Sequence, residues 1–163
     1  MTVASIEFYD VVVFVHVAAV VLAFGPTFGY AFFQGIAERY FPRSIPNVMR
    51  AMGTVDRYLV LPGLLVILAG GVYLVIDGPW DWDDTFVNVG MAAVVLLLVF
   101  QFAFFRRIER SLAQLAERDI AAAGTGDVEL SDEYWAASKR SAIGGSLAGV
   151  LVLIAIFFMT VKP

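Results

Sequence analysis

Four stretches of this chain contain no Asp, Glu, Lys or Arg: Val11 to Ala37, Tyr58 to Ile76, Thr85 to Phe105 and Ser141 to Val161. They are 27, 19, 21 and 21 residues long. A helix of roughly 20 apolar residues crosses the hydrocarbon core of a bilayer. Only helices and closed barrels satisfy their backbone there. The runs are continuously apolar and lack the period-two alternation of barrel strands, so helices are predicted. The expected fold is all-α, a four-transmembrane-helix bundle forming one integral membrane domain over residues 1–163, with spans at 11–37, 58–76, 85–105 and 141–161. Composition agrees: 60% of residues are hydrophobic and only 16% charged.

The positive charges give the expected orientation. Arg39, Arg43, Arg50 and Arg57 follow the first span, and Arg106, Arg107, Arg110, Arg118, Lys139 and Arg140 lie between the third and fourth. The connection between spans two and three has no basic residue, only Asp77, Asp81, Asp83 and Asp84. Ten of eleven basic residues therefore share one side, Lys162 being the exception. The positive-inside rule places that side in the cytoplasm and both termini outside. A multi-pass protein of the cell (plasma) membrane is expected, with the lipid bilayer as its principal partner. The amino-terminal residues include Glu7 and Asp10 and no Lys or Arg, unlike a signal peptide, so the first span is expected to stay in the mature protein. The net charge of -4 argues against nucleic acid. The absence of cysteine excludes disulfides, thiolate metal sites and cysteine nucleophiles.

Local signals refine the picture. Pro26, within Gly25-Pro26-Thr27-Phe28-Gly29, cannot donate to the carbonyl of Leu22 and should kink the first span. Ile108, Leu112 and Leu115 fall on one helical stripe, so the third span is expected to continue past the membrane. Residues 121–130, with Gly124 and Gly126, read as a turn, and Ser131 as the N-cap of the last helix, with Leu130 and Trp135 at staple spacing. Together these predict a solvated cytoplasmic helical extension between spans three and four. Ser141, Gly145 and Gly149 recur every four residues and allow close helix approach, either inside the bundle or in a homodimer.

The only histidine, His16, lies within the first span. An ionisable group at that depth is a candidate for metal or haem ligation or proton relay, or is a neutral polar contact. Met91 and Met159 belong to the same outer level. Histidine with methionine is a known haem ligation, and thioethers suit Cu(I). Both methionines also serve as core fillers. Gln101 reads as polar helix glue, and Arg57 beside Asp56 as an interfacial anchor. Phosphate loops, zinc-protease and nucleophile-elbow signatures are absent. The outer aspartates could hold a divalent cation only weakly.

His16 followed by Gly25-Pro26-Thr27-Phe28-Gly29-Tyr30, and Asp56-Arg57-Tyr58-Leu59-Val60-Leu61-Pro62 followed by Gly70-Gly71, resemble the first two helices of small four-helix membrane proteins. These are the CopD-like copper-resistance proteins, the HemJ-type protoporphyrinogen oxidases and a related integral-membrane family of no settled function. The resemblance covers residues 10–105 and is strongest to the last of these. Its HemJ-type branch implies a haem-binding histidine at His16, and its CopD-like branch implies copper handling. The third and fourth spans hold no lysine, a residue the HemJ-type branch uses in a later helix. The expected function is a small redox-type membrane protein binding haem b or copper through His16, with Met91, Met159 or a second His16 as further ligand, or with iron left five-coordinate. The alternative is a noncatalytic membrane scaffold or transport-accessory protein without a cofactor.

Overall fold

The computed structural model describes residues 6–162, so the chain termini themselves lie outside the described residues. It consists of four long helical columns, Phe8–Tyr40, Pro42–Asp77, Thr85–Ala123 and Asp132–Val161. Each has a stretch apolar enough to cross a membrane, and each is 30 to 39 residues long. That exceeds the roughly 20 residues a bilayer core requires, so the columns continue beyond it. Phe14, Val21, Phe32, Leu147 and Leu153 stand exposed around the bundle, the outward apolar surface that lipid requires.

The first column contains α1 (Phe8–Phe24) and α2 (Tyr30–Tyr40), joined by a tight 3-10 turn at Pro26–Gly29. This is the expected break. The Gly25 N–H still reaches the Val21 carbonyl at 2.9 Å, and the Thr27 hydroxyl donates to the Phe24 carbonyl at 2.8 Å. The second column runs through a 3-10 turn, α3 (Ile45–Val55), a π-helical turn (Asp56–Val60) and α4 (Leu61–Asp77). The third holds α5 (Thr85–Phe100), a second π-helical turn (Gln101–Phe105) and α6 (Arg106–Ala123). The fourth is one helix, α7 (Asp132–Val161).

Within the apolar zone α1 packs on α4, α4 on α5, and α5 on α7. Ala19, Ala23, Val60, Leu64, Ile67, Val94, Leu97 and Val152 form the central cluster. Small residues set the approach of the backbones: a Cβ on Gly63 would stand 2.7 Å from that of Ala23. On α7 the close contact is made by Gly144, where a Cβ would fall 2.2 Å from the Phe104 ring. Gly145 has open space around it, and Gly149 only reaches the edge of Phe28 at 3.9 Å. The inward face of α7 is therefore displaced by one residue from the Ser141–Gly145–Gly149 stripe. Spacing by four fits both rows, and the bulky Phe104 opposite selects the Gly144 row.

The basic end departs further from expectation. Residues 45–55, which follow the first span, are helical, and α3 packs on α6, which packs on α7. Ile45, Met49 and Met52 meet Leu112, Ala113, Ala116, Tyr134 and Ala137 in a second core. The extension is thus a packed helical layer and not a solvated hairpin. Its turn is held by Arg43, whose guanidinium donates to the carbonyls of Gly124 and Gly126 at 2.8 and 2.7 Å. Gly124 has a positive φ of 57°, a conformation suited to glycine. Ser131 caps α7 as expected, accepting from the Tyr134 N–H at 3.3 Å. Leu130 packs on the inner core, but Trp135 stays half exposed; Tyr134, with no exposed surface, is the anchor in its place.

Candidate functional site

Asp56 and Gln101 each open a π-helical turn, and the two turns face each other near the basic end of the apolar zone. A π-turn inserts one residue into the helical ladder, which rotates the following side chains and is frequent at functional positions. Here both insertions turn polar groups inward. Asp56 is 4% exposed and Gln101 6%. The Gln101 side-chain amide donates to Asp56 Oδ2 at 2.5 Å. The Tyr30 hydroxyl, at the start of α2 just past the turn at Pro26, donates to Asp56 Oδ1 at 2.8 Å. It also lies 3.3 Å from the Met52 carbonyl. The Glu109 carboxyl, one turn into α6, lines the same cavity as Asp56 and lies close enough to influence it. Glu109 passes close to Gly53, where a Cβ would stand 3.0 Å from its Oε2.

No salt bridge reaches Asp56 or Glu109 among the described residues. Arg57 turns away over the Tyr58 ring, 5.6 Å from its centroid. Both carboxyls line a cavity of about 790 Å³, together with Arg50, Arg57, Arg106, Arg110 and Glu117. Its size lies within the range of ordinary ligand pockets. A separate groove of about 400 Å³ lies beyond Tyr30 and Met52, lined almost wholly by apolar side chains such as Phe33, Ile36 and Phe41.

Two further polar nodes tie the basic end together. Glu38 accepts from Gln34, Tyr134 and Ser138 at 2.9, 2.9 and 2.7 Å. Burial, and then the Glu38 charge, push the Tyr134 hydroxyl above its ordinary range, so it remains a donor. Asp119 accepts from both the backbone N–H and the hydroxyl of Ser131 at 2.8 Å. Its burial opposes ionisation, but these bonds and Arg118 outweigh it and hold the carboxyl below its usual range.

His16 lies on α1 against α4, where a Cβ on Gly70 would stand 3.2 Å from its Nδ1. Nδ1 is buried without a hydrogen bond among the described residues, with the Ile67 carbonyl beside it. The Ile67 carbonyl and the two glycines, Gly70 and Gly71, enclose Nδ1, so Nε2 is the ring nitrogen a metal could reach. Met91 and Met159 lie elsewhere, in a cluster with Trp80, Val75, Phe86 and Val87. The Met159 methyl fills the space over Gly90, where a Cβ would come within 2.0 Å of it. The structure thus sets both methionines against the cluster of Val75, Phe86 and Val87, and leaves His16 on the α1–α4 seam. No group of three or more His, Cys, Asp or Glu arranged to hold a metal is present among the described residues.

Sequence reasoning read Gln101 as helix glue and Arg57 as an interfacial anchor, met Asp56 and Tyr30 only within the motifs of the resemblance, and gave Glu109 no role. The available signal was the stripe Ile45, Met49, Met52, which marks α3 as a helix continuous with span two and turns Asp56 inward.

No curated protein and no solved structure matches the chain. A family model described as "Predicted integral membrane protein (DUF2269)" matches residues 10–163. With that match spanning nearly the whole sequence and four membrane-length helices in the structure, the chain belongs to the DUF2269 family of predicted integral membrane proteins.

Proposed function

We propose that this protein is a noncatalytic membrane binding protein, in the class of transport-accessory proteins. Its ligand site is the cavity lined by Asp56 and Glu109. The observation that carries this reading is the facing pair of π-turns, which direct buried polar groups into one cavity at the edge of the apolar zone. Two carboxyls this close, with no cation between them, do not both ionise. Asp56 already receives Tyr30 and Gln101, so it holds the charge, and Glu109 holds the proton. A ligand that brings a cationic group to the pair takes over the role of that proton, which couples binding to proton release. The central apolar cluster fills the bundle on the other side of the pair, and the cavity lining runs from there along α3 and α6 into the basic end. By the distribution of arginines this end is cytoplasmic, in a plasma-membrane protein with both termini outside.

A hydrophobic carbodiimide tests the proton, because it reacts with protonated carboxyls in membranes. The expected adduct is on Glu109 or Asp56, with Asp77, Asp81, Asp83 and Asp84 unlabelled. Labelling confined to the exposed aspartates overturns the reading.

One observation favours a second centre. The Ile67 carbonyl beside Nδ1 of His16 supports ligation of haem b or copper through the other ring nitrogen. Met91 or Met159 would then have to come from another copy or after rearrangement, since both lie on a different seam. Gly145 on the exposed face of α7 leaves the stripe with Ser141 and Gly149 free to meet such a copy in a homodimer. Protein produced with excess haem and copper should carry one of them, and His16→Ala should lose it. A colourless, copper-free product removes this second reading and leaves the first untouched.

A further inference from the structure

The cavity has an unbalanced wall. Arg50 pairs with Glu117, but Arg57, Arg106 and Arg110 have no carboxylate partner among the described residues. Arg57 and Arg106 lie over the rings of Tyr58 and Phe102, at 5.6 and 5.9 Å from the centroids. Three guanidiniums around one cavity favour a bound anion, and their planar donors suit phosphate oxygens. Tyr58 and Phe102 are 71% and 52% exposed and also line the cavity. Both sit where the apolar spans end, so the cavity lining reaches the bundle surface at the level where lipid headgroups lie.

We propose that the ligand is the headgroup of an aminophospholipid, its phosphate held by Arg57, Arg106 and Arg110 and its ammonium received by Asp56 and Glu109. This rests on the cavity being the binding site, as proposed above, and names what fills it. The charges alternate over short distances. In the sequence Arg57 follows Asp56, Arg110 follows Glu109 and Arg106 precedes Glu109 by three residues, and all five line the same cavity. A phosphate and an amine separated by two carbons match that alternation. An ethanolamine headgroup carries N–H donors for the carboxyl pair. A choline headgroup carries the charge without the donors, and a glycerol headgroup carries neither. A charge-assisted hydrogen bond that choline cannot make is worth about tenfold or more in affinity.

The test uses the full-length protein, delipidated in detergent, with dioleoyl phosphatidylethanolamine, phosphatidylcholine or phosphatidylglycerol added at equal concentration. Retained lipid is counted by native mass spectrometry. Phosphatidylethanolamine should be retained about tenfold better than the other two. The double variant Arg57→Gln, Arg106→Gln, both at exposed positions, should lose that retention, and Arg39→Gln, outside the cavity, should keep it. Asp56→Asn should bring phosphatidylethanolamine down to the level of phosphatidylcholine. Soluble phosphoethanolamine at the same concentration should raise the melting temperature less than the lipid does; an equal rise shows a soluble ligand and overturns the lipid source. Equal retention of all three lipids, a preference for phosphatidylglycerol, or unchanged retention in the arginine variant overturns the proposal. Carbodiimide labelling separates the two failures, because the adduct on the carboxyl pair persists when only the lipid assignment is wrong.

Discussion

The Gln101 side chain donates to Asp56 across 2.5 Å, and each residue begins a π-helical turn in a different membrane column. Each turn departs from the regular ladder, and the bond between them is made at the point where both depart. Removing the donor leaves a buried carboxylate oxygen with one partner fewer. Gln101→Leu should lower stability by about 1–3 kcal/mol in detergent unfolding. Tyr30→Phe, which removes the donor to the other oxygen, should act in the same direction. Unchanged stability in both variants shows that the Asp56 oxygens do not depend on these donors.

The glycines of α7 should separate cleanly. Gly144→Leu places side-chain atoms into Phe104 and should cost about 1–3 kcal/mol by overpacking. Gly145→Leu faces open space and should leave the melting temperature of the monomer unchanged. The reverse order of effects would mean that α7 is rotated relative to its neighbours.

The cap of α7 should respond to acid. The Asp119 carboxyl is held below its usual range in the folded state, so its bonds to Ser131 stabilise the fold above the unfolded-state value. That contribution falls as pH drops through the folded-state value. Melting temperature should therefore decline on acidification, and Asp119→Asn should flatten part of the decline. Ser131→Ala should cost about 1 kcal/mol, the usual worth of an N-cap. An acid profile identical in wild type and Asp119→Asn removes Asp119 from this role.

Orientation is testable without background, because the chain has no cysteine. Asp83→Cys should react with an impermeant thiol reagent in intact cells. Gly126→Cys should react only after lysis. The opposite pattern reverses the assignment of sides.

The membrane bundle was legible because its signal is long and local: four uncharged runs need no partner to be recognised. The Pro26 break and the Ser131 cap were legible for the same reason. The packed layer at the basic end was harder to see, since α3 carries Pro46, Asn47 and Arg50 among its apolar residues. The carboxyl pair was only half legible: the α3 stripe turns Asp56 inward, but nothing in the sequence pairs it with Glu109. Asp56 and Glu109 are 53 residues apart, and only the packing of α3 on α6 brings them together. Nor does any residue pattern announce a π-turn, which depends on the neighbouring column offering a partner. His16 illustrates the converse. Its depth in the span was evident from the sequence, yet its separation from Met91 and Met159 depends on which helices pair.

The shared proton of Asp56 and Glu109 is tested most directly by infrared spectroscopy of the purified protein at neutral pH, in light and heavy water. A protonated carboxylic acid absorbs apart from carboxylates and amides and shifts on deuteration. One such band is predicted in the wild type, with loss of the band in Glu109→Gln and a change or loss in Asp56→Asn, while Asp83→Asn leaves it intact. Absence of the band at neutral pH, or a band indifferent to both Asp56→Asn and Glu109→Gln, contradicts a proton held between these two carboxyls.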